Sequence, residues 1–233
     1  FADALARHGG GPDAIVPAGG EWLRDPAHPG RAFLNSGREP AGTPPRARFH
    51  FSPLQDRLYL RAFAQALNVL AAKAPREEWA LTLTRHSVEA IQAERALHDE
   101  ILKTWGVSPG QAGRAGMAPT NAAYTNHLLA AVYQGTFAEG MAAVLPCYWI
   151  YWEVGKELVK KGSKDPAYQK WINNYAGEEY ARSVREAIAI MDAAAARAGD
   201  DERANARANF VRSARYEFMF WDMAWRKETW PPN

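Results

Sequence analysis

The sequence predicts a single all-α domain, and three observations support this fold class. From Leu54 onward, long stretches rich in Ala and Leu carry apolar residues at helical spacing. No segment alternates apolar and polar residues as a half-buried strand does. No sequence repeat is present, so stacked repeats are not indicated.

The first 45 residues differ from the rest in composition. Glycine and proline recur there so densely, from Gly9-Gly10-Gly11-Pro12 to Pro44-Pro45, that no long helix fits. We therefore predict an irregular Gly/Pro-rich segment over residues 1–45, with at most a short helix near its start. One helical domain follows over residues 46–233.

Apolar spacing and helix breakers predict seven helices in this domain. They cover about Leu54–Lys73, Pro75–Trp105, Thr120–Tyr133, Phe137–Lys161, Ala167–Tyr175, Gly177–Ala198 and Asp201–Thr229. The sixth shows the clearest buried face, with apolar residues at i, i+3, i+4 and i+7 in Val184, Ala187, Ile188 and Met191.

Local signals mark the ends of the first four helices. The first stops before Pro75, which suits the start of the second because that position needs no N–H donor. Gly106 and Gly135 end the second and third. The fourth contains Pro146, whose missing N–H is expected to kink or break it, and Gly162 is placed as its C-cap.

Composition and charge exclude several functional classes. Hydrophobic residues make up 47% and charged residues 23% of the chain, the balance of a globular protein with a sizeable core. With 28 basic and 26 acidic residues, the net charge of +2 is too small to steer the chain to nucleic acid or to a membrane surface. No transmembrane stretch or signal-peptide pattern is present, and one cysteine fits a reducing cytoplasm.

Three helices carry a titratable residue at a position where the apolar spacing predicts a core residue. In the first helix, Asp56 and Tyr59 share a face with Leu60 and Phe63. Asp56 either caps the start of its helix or points inward to bind a polar ligand. Tyr59 is either a packed core residue or part of the same site.

The only cysteine, Cys147, follows Pro146 and shares a helix face with Val144, Tyr151 and Val154. It is either a small core residue or a reactive thiol. A helix break at Pro146 would place Cys147 in the first turn of a new helical segment. There, free N–H groups favour the thiolate, which is the nucleophilic form.

Glu217 lies within an apolar stripe of the last helix, together with Phe210, Ala214 and Trp221. Its aromatic surroundings should raise the pKa of the carboxyl, because burial disfavours the charged form, and such a carboxyl suits acid–base catalysis. The alternative is a core glutamate held by an arginine or a tyrosine. A thiol, two carboxyls and several phenols together predict an aromatic site for a flat heteroaromatic ligand.

The same segments resemble the motifs of one protein family. They are Gln55-Asp56-Arg57-Leu58-Tyr59-Leu60, Ala123-Tyr124-Thr125, Leu145-Pro146-Cys147-Tyr148-Trp149-Ile150-Tyr151, Tyr175-Ala176-Gly177-Glu178-Glu179 and Glu217-Phe218-Met219-Phe220-Trp221. The first resembles a Q-D-x-x-Y-L signature, and the set runs in order from about Gly42 to Trp230. On these residues the chain resembles the TenA family, known as thiaminase II or aminopyrimidine aminohydrolase, in its cysteine-containing type.

The resemblance implies an all-α fold like that of haem oxygenase, without haem, metal or another cofactor. It also implies assembly as a homotetramer, with a dimer as the alternative. The implied activity is release of 4-amino-5-hydroxymethyl-2-methylpyrimidine from aminopyrimidine breakdown products of thiamin, or from thiamin itself. Such an enzyme takes part in thiamin salvage.

The family's functional residues match positions of this chain. Cys147 would attack the pyrimidine ring, and Glu217 would carry protons to the ring and to the leaving amine. Asp56 would hydrogen-bond the ring nitrogen and the amino group. The residues implied to bind or orient the substrate are Asp56, Tyr59, Tyr124, Tyr151 and Tyr175.

The chain departs from the family pattern at two places, and two other functional classes are alternatives to the hydrolase. Arg57 stands where an aromatic residue is common after the aspartate in the family that the chain resembles. Ser52-Pro53 is predicted to interrupt the first helix or to shift its start to Pro53. A non-catalytic pyrimidine-binding or regulatory protein on the same scaffold is the alternative function. A metal-dependent oxidase would use the residues His86, Glu89, Glu94 and His98, but the late helices offer no matching Glu-x-x-His, and a solvated charged face explains these residues better.

Overall fold

The computed structural model describes residues 46–96, 116–160, 162–163 and 166–231, which are almost entirely helical. In chain order the helices are α1 (Arg46–Lys73), α2 (Glu77–Glu89), which continues into a π-helical turn (Ala90–Glu94), α3 (Pro119–Gln134), α4 (Phe137–Val159), α5 (Pro166–Ala176), α6 (Glu178–Ala195) and α7 (Asp200–Arg226). No strand occurs among the described residues. The predicted all-α fold is confirmed, whereas the predicted irregular segment 1–45 lies outside the described residues.

Helix α4 is the central element of the described part. It packs against α1, α3, α5, α6 and α7. Burial on several sides explains why α4 is apolar almost throughout rather than along a single stripe. Small residues bring its neighbours close, since Gly140 faces Leu70 of α1 and Val132 of α3. None of the described helices has the length and apolar character that crossing a membrane requires.

Two helix ends show how the chain changes direction. At the start of α4, the Thr136 hydroxyl accepts a bond from the Glu139 N–H at 3.2 Å, and the Glu139 carboxylate accepts one from the Thr136 N–H at 2.9 Å. Helix α7 ends at Arg226 and is capped by Lys227, which has a left-handed φ of 50°. The Glu228 N–H then bonds back to the Met223 carbonyl at 3.0 Å.

Two helices continue through a proline that the sequence predicted would break them. Helix α1 begins at Arg46 and runs through Pro53, and α4 is continuous through Pro146. Each proline removes one N–H donor, but both prolines are buried, and packing of the flanking turns outweighs the lost bond. The predictions of an interruption at Ser52-Pro53 and of a helix start at Pro53 are therefore wrong. Of the kink or break predicted at Pro146, the break does not occur.

Most other helix ends agree with the predictions to within a few residues. One exception is α2, which begins at Glu77, so Pro75 is not its first residue. A second is the end of α4, where the C-cap is Lys160 rather than Gly162, although Gly162 has a left-handed φ of 62°. The predicted continuation of α2 beyond residue 96 lies outside the described residues.

Candidate active site

A short hydrogen bond between two buried side chains lies at the centre of the candidate site. The Tyr124 hydroxyl of α3 donates to Glu217 Oε1 of α7 at 2.6 Å. Glu217 is 2% exposed and Tyr124 is fully buried, so the bond is shielded from water. Burial, followed by the neighbouring Glu217 carboxyl, raises the pKa of Tyr124. The phenol therefore keeps its proton and acts as a donor.

Tyr59 of α1 joins this pair to Cys147 of α4. Burial, followed by the influence of Cys147, Tyr124 and Glu217, raises the pKa of the Tyr59 phenol, whose ring lies 5.0 Å from that of Tyr124. Its hydroxyl finds no partner at regular hydrogen-bond geometry in the described part of the chain. Cys147 is 9% exposed. Both residues predicted to be catalytic thus lie close to two of the predicted tyrosines.

Tyr151 and Tyr175, which were predicted to bind the substrate, form the aromatic part of the candidate site. The Tyr151 ring lies 5.0 Å from the ring of Tyr175 in α5 and 5.7 Å from that of Trp221 in α7. Tyr151 follows Cys147 by one turn of α4, and Trp221 follows Glu217 by one turn of α7. The two helices therefore connect the aromatic part to the thiol and the carboxyl.

Gly155 allows α5 to approach α4 beside this aromatic part. A Cβ atom at Gly155 would lie 2.6 Å from the carbonyl carbon of Tyr175 and 2.8 Å from the nitrogen of Ala176. Only glycine permits this contact between the two backbones. Since Gly155 is one turn after Tyr151, the glycine sets the distance at which Tyr175 meets Tyr151.

Asp56 is half-buried in the interior of α1. It lies ten residues after the start of the helix at Arg46, so the alternative that Asp56 caps the helix start is wrong. Asp56 is one turn before Tyr59 and shares its face. This position is compatible with the substrate-binding role, which remains a prediction.

Cys147 occupies the middle of a continuous helix. The argument that a break at Pro146 exposes Cys147 to free N–H groups is therefore wrong, because α4 has no second start there. Instead, the Tyr180 hydroxyl of α6 donates to the carbonyls of Cys147 and Tyr148, both at 3.3 Å. Any activation of the thiol must come from the side chains around it.

His86 is buried, so the prediction that it lies on a solvated charged face is wrong. His86 is 3% exposed. Its Nε2 lies 2.9 Å from Glu186 Oε2, and its Nδ1 lies 3.2 Å from the Tyr148 hydroxyl. Burial lowers the pKa of His86, so the neutral ring donates to Glu186 and accepts from Tyr148. Trp79, Leu83 and His86 lie at i, i+4 and i+7, a signal that could have identified this burial.

Two aromatic residues of α7 enclose the phenols and were not identified from the sequence as site residues. The Tyr216 ring stacks on that of Tyr124, with centroids 5.2 Å apart and an angle of 14°. The Phe220 ring meets that of Tyr59 edge-on at 5.7 Å. Both lie within four residues of Glu217, so their closeness to it in the sequence could have identified them as site residues.

Comparison with known sequences matches most of the chain to one protein family. The sequence model of the TENA/THI-4/PQQC family matches residues 40–227. An aminopyrimidine aminohydrolase of Bacillus subtilis is 39% identical over 189 residues, which are 81% of this chain and 80% of that protein. The thiamine biosynthesis multifunctional protein ThiED of Corynebacterium glutamicum is 34% identical over 79% of this chain, but over 23% of its own length.

Comparison with solved structures shows the same fold in a protein of similar sequence. The TenA homologue of P. horikoshii OT3 superimposes with a TM-score of 0.76 and 28% sequence identity, covering 92% of this chain and 97% of that one. The predicted helical, haem-oxygenase-like fold is therefore confirmed.

Proposed function

Because the chain belongs to the TENA/THI-4/PQQC family, we propose that it is a thiamin-salvage hydrolase of the aminopyrimidine aminohydrolase type, also called thiaminase II. A relative with that name supports the activity. The structural observation that supports it most is the buried Tyr124–Glu217 hydrogen bond next to Cys147 and Tyr59. This arrangement supplies a nucleophile and a proton-transfer group to one substrate.

The proposed reaction exchanges an amine on the exocyclic methylene of the pyrimidine for a hydroxyl. The Cys147 sulfur bonds to the ring and its proton passes to Glu217, which then protonates the departing amine. The oxygen of a water molecule then bonds to the methylene carbon; one proton of the water stays in the new hydroxyl, and the other passes to Glu217. The bond between sulfur and ring then breaks, and Glu217 returns the proton to the thiol. One water is consumed and one amine is released, without redox change.

The phenols are proposed to bind and orient the substrate rather than to react. The raised pKa values of Tyr59 and Tyr124 keep both hydroxyls protonated as donors. Asp56 is proposed to hydrogen-bond the ring nitrogen and the amino group. Tyr151 and Tyr175 would contact the flat faces or edges of the ring through their aromatic surfaces.

Product analysis with two substrates tests this proposal. The protein is incubated with 4-amino-5-aminomethyl-2-methylpyrimidine and, separately, with thiamin, and 4-amino-5-hydroxymethyl-2-methylpyrimidine is measured by chromatography. The parent is expected to form this product, and the ratio of rates ranks the substrates. Cys147→Ser and Glu217→Gln are each expected to lower the rate by at least about 100-fold.

Circular dichroism and substrate binding distinguish a chemical loss from an unfolded protein. Both variants should retain the helical spectrum and bind the product, which is measured by the quenching of tryptophan fluorescence. A folded parent that binds the pyrimidine but forms no product from either substrate would contradict the hydrolase. That result would favour the alternative of a non-catalytic pyrimidine-binding or regulatory protein.

Assembly as a homotetramer, or as a dimer, and a cytoplasmic location are also part of the proposal. The resemblance to the family supports the assembly, and the thiol chemistry is suited to a reducing compartment. Light scattering coupled to gel filtration measures the assembly directly. A monomeric mass for an active protein would contradict it.

A further inference from the structure

A pair of buried amide side chains joins α1 to the start of α3 next to the site. Gln55 is 2% exposed. Its Nε2 donates to the Gly116 carbonyl at 2.9 Å, and its Oε1 accepts a bond from the Ala118 N–H at 2.9 Å. The side chain thus pairs with the backbone that precedes α3 through one donor and one acceptor.

Asn121 completes the same contact from α3. Its Nδ2 donates to the backbone carbonyl of Gln55 at 2.7 Å and to Gln55 Oε1 at 3.0 Å. Asn121 is fully buried, and its Oδ1 has no hydrogen-bond partner within the described ranges. Leucine would fill this space without an unsatisfied buried acceptor. The contribution of the amide therefore lies in the two bonds that its nitrogen makes to α1.

These amides are close in sequence to residues of the site on both helices. Asp56 is the next residue after Gln55, and Tyr59 is one turn further along α1. On α3, Tyr124 follows Asn121 by three residues. The rings of Tyr59 and Tyr124 are 5.0 Å apart. Any sliding of α1 against α3 would change this separation.

The other side of the α3 start is held by the segment that follows α7. Glu228 Oε2 accepts a bond from the Thr120 N–H at 2.8 Å, and Trp230 Nε1 donates to the Met117 carbonyl at 2.8 Å. The start of α3 is thus attached to this segment on one side and to α1 on the other. Gln55 and Asn121 are the side chains that make the attachment to α1.

We propose that Gln55 and Asn121 are positioning residues that set the placement of α1 against α3. They act through Asp56, Tyr59 and Tyr124, and they take no part in bond making or proton transfer. Buried hydrogen bonds tolerate little displacement, and a shift of about 1 Å at a reacting centre lowers rates strongly. This inference rests on the hydrolase function proposed above.

Steady-state kinetics of Gln55→Leu, Asn121→Leu and the double variant test the proposal. With the aminopyrimidine substrate, each single variant is expected to lower kcat/KM about 10- to 100-fold. The kcat/KM of the double variant should be no lower than that of the worse single variant, because both substitutions disrupt the same contact between α1 and α3. The matched control is Ser87→Ala, which removes another buried bond to α1, from Ser87 Oγ to the Ala64 carbonyl at 3.1 Å. It should stay within about twofold of the parent.

A conservative variant separates positioning from general loss of stability. Gln55→Glu keeps an acceptor for the Ala118 N–H, and its carboxyl can donate to the Gly116 carbonyl only while it is protonated. Its kcat/KM relative to the parent should therefore be highest at low pH and fall as the pH rises, when the buried carboxylate forms and this donor is lost. If Gln55→Leu does not fold, the kinetics of Gln55→Glu test the proposal instead. Parental kcat and KM in a folded Gln55 variant, or a loss equal to that of Ser87→Ala at equal thermal stability, would overturn the proposal.

An inactive parent would mean that the proposed hydrolase function has failed, and product binding would then decide the role of the amides. Binding of 4-amino-5-hydroxymethyl-2-methylpyrimidine is followed by tryptophan fluorescence. Affinity about 10-fold weaker in Gln55→Leu than in Ser87→Ala would support the positioning role. Equal affinity in the two variants, or no binding by the parent, would overturn it.

Discussion

Replacing Gly155 with alanine is expected to damage the site by separating two helices. The new Cβ would lie 2.6 Å from the carbonyl carbon of Tyr175, whereas ordinary Cβ contacts begin at 3.4 Å. The backbones of α4 and α5 must therefore separate by about 0.8 Å, because the atom that is met belongs to backbone and cannot rotate away. Tyr175 would move with α5, away from Tyr151.

The expected effect of Gly155→Ala on stability is the difference between two opposing contributions, and its effect on catalysis follows from the displacement of Tyr175. Alanine favours a helix interior over glycine by about 1 kcal/mol. Overpacking of this kind costs about 1–3 kcal/mol, so the free energy of unfolding should fall by up to about 2 kcal/mol. A displacement approaching 1 Å at a substrate-binding tyrosine is expected to lower kcat/KM by about 100-fold, if Tyr175 binds the substrate as proposed.

Gly140→Ala is the matched control in the same helix. Its Cβ would lie 2.8 Å from Leu70 Cδ2, the end of a flexible side chain, and 3.3 Å from Val132 Cα. The helix propensity gained is the same, but Tyr175 is not displaced. Urea unfolding and steady-state kinetics of both variants measure the two effects separately. A Gly155→Ala variant with parental kcat/KM, or a Gly140→Ala variant with the same kinetic loss, would refute the reasoning.

Three further substitutions address the carboxyl, a helix cap and pH. Tyr124→Phe removes the hydroxyl that donates to the buried Glu217, so the free energy of unfolding should fall by about 1.5–3 kcal/mol and kcat/KM should fall with it; unchanged kinetics would contradict the assigned role of Tyr124. Thr136→Ala removes the cap of α4 and should cost about 1 kcal/mol in urea unfolding, with kcat/KM unchanged. The lowered pKa of His86 means that the unfolded chain binds its proton first, so stability should decrease as the pH falls below about 6.5. In His86→Gln the loss of unfolding free energy between pH 7 and pH 5.5 should be smaller, and an equal loss would assign it to other groups.

Helical periodicity is a local property, and for that reason the sequence alone was sufficient for the class of fold and for most helix boundaries. The same periodicity singled out Cys147 and Glu217, since a polar residue within an apolar stripe is visible without any structure. Local signals failed at the prolines. Pro53 and Pro146 each remove one donor, but the energy that keeps α1 and α4 continuous comes from packing against other helices, which no local pattern records.

The tertiary structure alone decided which polar residues meet. Tyr124 and Glu217 are 93 residues apart in the chain, and their hydrogen bond depends on how α3 and α7 pack. His86 illustrates the same limit, because its hydrogen-bond partners are a phenol from α4 and a carboxylate from α6. The sequence by itself determined the helices and which side chains are chemically unusual, because these follow from contacts within a few residues. Their distances and partners were decided only by packing between elements far apart in the chain.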